Sequence, residues 1–86
     1  MTSDLDAQEM AQLGLKKIED AIVSLLSRRA EGLNTEAIAD ELGLGAGLPP
    51  DKRGSIASAV LGLLVQSGRV LWDEQRRVYL DNPEKV

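Results

Sequence analysis

The sequence contains no cysteine and no histidine, and only two aromatic residues, Trp72 and Tyr79, in 86 positions. Without cysteine there is no disulfide framework, no zinc–thiolate site and no thiol nucleophile. Without histidine there is no imidazole metal ligand, no histidine-centred triad and no side chain that ordinarily titrates near neutrality. Long apolar runs are missing too: the longest span 3 residues, as at Leu63–Val65, against the ~20 that a bilayer-spanning helix needs. The first residues, Met1-Thr2-Ser3-Asp4-Leu5-Asp6, are acidic and carry no apolar signal segment. A cytoplasmic location without membrane association is expected. A chain this short buries only about 60–65% of its unfolded surface, so a deep active site is hard to build. Adjacent carboxylates such as Glu19/Asp20, Asp40/Glu41 and Asp73/Glu74 do not face each other on a helix. Neither enzymatic activity nor a metal or cofactor is expected.

What is present suits one small globular domain, with 43% hydrophobic residues and 28% charged. Residues 1–14 read as a tail or a short extra helix, with Ser3 and Asp6 weakly resembling a capping box and Gly14 interrupting. From Leu15 onward the pattern is helical. Leu15, Ile18, Ile22, Leu25 and Leu26 form one apolar stripe, Arg28 and Arg29 fall in the expected last turn, and Gly32 follows as a stop. This predicts a first helix over about 15–31. Asn34 or Thr35 caps a second, short helix over 35–42, in which Ile38, Ala39 and Leu42 are core candidates and Gly43 is the terminator.

Residues 43–50, Gly-Leu-Gly-Ala-Gly-Leu-Pro-Pro, read as a connector. The glycine spacing, with no preceding strand and no following Lys-Ser/Thr pair, does not fit a phosphate-binding loop. A third helix is predicted over 51–67, with Ile56, Val60, Leu63 and Leu64 as its apolar stripe, Ala57, Leu61 and Val65 widening it, and Ser67-Gly68 ending it. Arg69–Trp72 and Arg77–Leu80 are short β-prone runs separated by four residues, and so predict a hairpin. Trp72 and Tyr79 both lie in it. Either Trp72 anchors the hairpin to the helices, or one ring stays exposed to meet a ligand. Residues 81–86 read as a tail.

The fold class expected is mainly α with a C-terminal β-hairpin. The run Leu33 to Gly43, the run Val60 to Val70 and the segment Trp72 to Leu80 together resemble a winged helix-turn-helix domain across residues 15–80. The resemblance implies a three-helix core plus a wing, with the third helix entering the major groove of double-stranded DNA and the wing reaching backbone or minor groove. It implies a small DNA-binding protein acting in transcription regulation. The connector of residues 43–50 departs from the three- or four-residue turn of the motif. The tyrosine and asparagine that binders of left-handed nucleic acid carry on helix 3 are also absent.

Helix 3, once its core positions are removed, offers Lys52, Arg53, Ser55 and Ser58 as nucleic-acid contacts, with Gly62 allowing close approach. The wing offers Arg69, Gln75, Arg76 and Arg77. Arg76 and Arg77 can also neutralise Asp73 and Glu74, but with Arg69 included the arginines outnumber what that local pairing requires. Charge is unevenly placed. Residues 1–49 hold four basic and nine acidic side chains, a net of −5, whereas residues 50–80 hold five basic and three acidic, a net of +2. The whole chain carries −4, so non-specific affinity for DNA is expected to be weak and salt-sensitive. The acidic body, the acidic second helix (Glu36, Asp40, Glu41) and the small residues on helix 3 also suit a protein-interaction module without DNA binding. If residues 3–13 are helical, they could support a homodimer.

Overall fold

The computed structural model describes residues 4–84. Three helices and one hairpin follow in order: α1 (Asp4–Ser27), α2 (Thr35–Leu42), a short 3-10 turn (Pro50–Lys52), α3 (Ser55–Gln66), β1 (Val70–Asp73) and β2 (Val78–Asp81). No helix among the described residues is long and apolar enough to cross a membrane.

The first helix differs from expectation at both ends. It begins at Asp4, not near Leu15, because the good helix formers around Gly14 (Ala7, Gln8, Ala11 and Gln12 before it, Lys16 and Lys17 after) carry the helix through one glycine. The expected 1–14 unit is thus continuous with the domain from residue 4, and residues 1–3 lie outside the described chain. Residues 6–13 are all exposed. This projecting stretch raises the radius of gyration to 13.9 Å, against about 12 Å for a compact chain of this length. At its other end α1 stops at Ser27, so Arg28 and Arg29 lie just past the helix rather than in its last turn. Their amides bond to Leu25 and Leu26, three residues back, which tightens the exit. The chain then turns through Gly32, whose positive φ of 81° serves this corner rather than a helix cap. A Cβ there would come within 2.8 Å of the Tyr79 carbonyl and of the Val78 and Leu80 side chains.

That corner delivers Leu33 to the hairpin. Leu33 exchanges backbone hydrogen bonds with Tyr79 in an isolated antiparallel bridge, N–H to O distances of 3.1 and 2.8 Å. A short third backbone segment thereby flanks β2, on the side opposite β1. The hairpin pairs Val70 with Asp81, Leu71 with Leu80, Trp72 with Tyr79 and Asp73 with Val78. Asp81 belongs to β2, and the Asn82 side-chain amide donates to the Gly68 carbonyl at 2.7 Å. The segment expected as a C-terminal tail is therefore attached as far as Asn82.

The second helix forms as its caps predict. The Asn34 side chain accepts from the Ala37 N–H at 2.8 Å, and Gly43 closes the helix. Leu44 folds back, its N–H bonded to the Ala39 carbonyl, and lies against the core. The core comprises Ile22, Val23, Leu25 and Leu26 of α1, Ile38 and Ala39 of α2, Ala57, Val60, Leu61 and Leu64 of α3, and Val70 of β1. On α3 the buried stripe is Ala57, Val60, Leu61 and Leu64, turned away from the expected one, so Ile56 and Leu63 are exposed. The helix is apolar nearly all round, so periodicity alone permits more than one phase.

A candidate nucleic-acid interface

Lys52 closes the 3-10 turn and Arg53 and Gly54 follow it, so the expected third helix begins at Ser55 instead of residue 51. The reason is the connector's return path. Gly45 has a φ of 80°, and a Cβ there would run into the Arg53 carbonyl. The Arg53 Nε–H donates to the Leu48 carbonyl at 3.1 Å, holding the same segment from the other side. Lys52 and Arg53 are exposed and sit immediately before the N-terminus of α3. Gly54 supplies no side-chain cap there. The first-turn amides carry the positive end of the helix dipole toward the same cations. Ser55 and Ser58 are exposed on α3, as is Gly62. Exposed aliphatics flank them: Ile56, Leu63 and Val65. The helix itself contains no charged residue.

At the hairpin tip Asp73 organises the turn. Its carboxylate accepts from the Gln75 and Arg76 backbone N–H groups at 3.0 and 3.1 Å and from the Arg76 Nε–H at 2.9 Å. The Arg76 bonds hold the Asp73 carboxyl below its ordinary range, against a smaller opposing effect of desolvation. Arg76 is thus engaged by its own turn. Gln75 is exposed at the tip. Arg77 is exposed and has a φ of 57°, making it the non-glycine residue at positive φ among the described residues.

Arg69 is the residue whose surroundings the local sequence does not announce. It reaches α1, 3.0 Å from Asp20 and 3.7 Å from Glu19. The Arg69 hydrogen bond holds the Asp20 carboxyl below its ordinary range, with desolvation opposing and Lys16 assisting. Asp20 lies 49 residues from Arg69 in the chain, and Glu19 precedes it, so no local signal could have paired them. Of the five cations in residues 50–80, Arg69 and Arg76 are ion-paired; Lys52, Arg53 and Arg77 have no carboxylate within ion-pairing distance among the described residues.

The aromatic pair also resolves. Tyr79 packs against the core, and Trp72 stacks on it with ring centroids 4.7 Å apart, leaving Trp72 41% exposed. Tyr79 is therefore the anchor and Trp72 the exposed ring. The two concavities beside Arg53 measure about 220 and 190 Å³, below the roughly 300–1,000 Å³ of small-molecule pockets. The chain matches no protein-family model, no curated protein and no solved structure.

Proposed function

We propose that this chain is a winged helix-turn-helix module that binds double-stranded DNA, with α3 toward the major groove and the hairpin on the flanking backbone. The observation that carries the reading is the placement of the three cations that have no carboxylate partner among the described residues. Lys52 and Arg53 stand at the start of α3, and Arg77 stands at the hairpin tip. Arg77 supports it further, because a left-handed arginine costs about 1–2 kcal/mol that a glycine there would avoid. Strain of this kind concentrates where a side chain has a task. Ser55 and Ser58 add hydroxyl donors on the same helix, while Gln75 and the engaged Arg69 and Arg76 hold secondary places. Transcription regulation in the cytoplasm is the setting such a module suits.

These three cations bound the affinity. If each neutralises one phosphate, the salt exponent is about −2.7, and binding weakens about 40-fold between roughly 50 and 200 mM salt. The test is a duplex titration followed by anisotropy of labelled DNA. Lys52→Ala and Arg77→Gly should each reduce the exponent by about 0.9, while Arg77→Gly leaves the melting temperature unchanged or higher. No binding at low salt overturns the reading.

A second reading has its own observation. Ile56, Leu63 and Val65 are exposed along an uncharged α3, as are Leu71 and Trp72 on β1. Exposed apolar side chains in this number suit a protein partner better than phosphate. A chain that ignores DNA at low salt, yet loses capture of a protein partner on Leu63→Lys, would fit this docking module.

A further inference from the structure

The projecting part of α1 carries the two most exposed large apolar side chains among the described residues, Met10 at 70% and Leu13 at 55%. They belong to a single exposed stripe, Asp6, Met10, Leu13 and Lys17, spaced i, i+4, i+7 and i+11. This is the alternation of four and three residues by which two helices pack side by side. The order along the stripe is acid, apolar, apolar, base. Laid antiparallel against a copy of itself, it matches at every level: Asp6 faces Lys17 of the copy, Met10 faces Leu13, and the two-fold axis repeats both contacts. A parallel pairing would set Asp6 against Asp6 and Lys17 against Lys17.

The shoulders of the stripe agree. Antiparallel packing sets each shoulder against the same shoulder of the copy. Glu9 and Lys16, of opposite sign, share one shoulder; Ala7, Gly14 and Ala21 share the other. Gly14 is otherwise unexplained. It lies inside the helix, where glycine is destabilising, and a Cβ added to it meets nothing within 4 Å in this chain. Close approach of a second helix accounts for it. Lys17 has no carboxylate partner among the described residues. The concavity along Asp6, Glu9, Met10, Leu13 and Lys16 is lined by α1 alone, so no other element among the described residues occupies that side. The body of the chain lies at the opposite end, against Leu15, Ile18 and Ile22. An antiparallel copy would therefore place the two bodies at opposite ends without conflict.

We infer that the projecting half of α1 is a homodimerisation element, in which two copies pair antiparallel through Asp6, Met10, Leu13 and Lys17. The inference is independent of what α3 binds. With two apolar levels per helix, the dimer is a concentration-dependent one. The experiment is sedimentation of the full-length chain over a concentration series, with circular dichroism of each variant. The wild-type mass should rise from 9.3 kDa toward twice that value. Met10→Lys should weaken association by about 100-fold or more, since the axis counts the loss twice. Asp6→Lys and Lys17→Asp should each weaken it about tenfold, and the double variant should restore it. Gly14→Ala should increase helicity yet weaken the dimer, a combination that a purely local role for Gly14 would not give. A chain that stays monomeric at millimolar concentration, a dimer indifferent to Met10→Lys, or a double charge swap that restores nothing overturns the inference.

Discussion

Asn34 and Gly45 show how much of this fold hangs on single side chains or their absence. Asn34 satisfies one of the first-turn amides of α2. Asn34→Ala should cost about 1 kcal/mol, read as a lower midpoint in urea unfolding. Gly45 is constrained twice, by its positive φ and by the Arg53 carbonyl beside it. Gly45→Ala should cost at least the roughly 1–2 kcal/mol of a left-handed alanine, and the clash should displace Arg53 as well. The checks are urea unfolding for stability and amide shifts confined to residues 43–55 for the displacement. A cap at Asn34 or Thr35 was readable from residue type and position before an apolar run, and the structure selects Asn34. Gly45 was not, because its neighbour Arg53 comes close only after the connector has folded back.

Among the elements, the hairpin depends on attachments from both sides of the chain. Tyr79 joins it to the core and to Leu33, and Arg69 joins its entry to α1. Trp72 rests on Tyr79 and is half in solvent. Tyr79→Ala should therefore destabilise by about 2–3 kcal/mol, and Trp72→Ala by about 1 kcal/mol, a ranking that thermal unfolding followed by circular dichroism can check. The hairpin itself was legible from two β-prone runs and four intervening residues. Which aromatic anchors it was not, since both rings sit at one paired level, Trp72 against Tyr79. The neighbouring core decides which is covered. The α3 phase belongs to the same class: its sequence offers more than one apolar stripe, and contact with α1, α2 and β1 selected Ala57, Val60, Leu61 and Leu64.

For the molecule as a whole, Asp20 and Glu19 with Arg69, and Glu41 with Arg29, link distinct parts, while Asp73 with Arg76 closes the hairpin turn. The Glu41 pair is bidentate, both contacts at 2.6 Å, and fastens α2 to the exit of α1. The Arg29 hydrogen bonds hold Glu41 below its ordinary range, with desolvation opposing. Asp20, Glu41 and Asp73 thus bind protons less readily folded than unfolded. Their contribution is present above the unfolded carboxylate range, near pH 4, and is lost as pH falls through the folded values below it. The melting temperature should drop on acidification below about pH 4, and Glu41→Gln should lower it near neutrality while flattening the acid limb.

Composition and local pattern alone determined that the described residues build three helices and a hairpin, that imidazole and thiol chemistry are excluded, and that residues 50–80 carry a net positive charge on an acidic chain. Those are properties of residue type and of neighbours within a few positions. Tertiary structure decided the rest: that Leu33 bridges β2, that Arg69 is tied to α1, and that Lys52, Arg53 and Arg77 have no carboxylate within ion-pairing distance among the described residues. Each of these depends on groups distant in the chain, or on surface that packing leaves uncovered. Periodicity carries information along one element; it carries none about which surfaces meet.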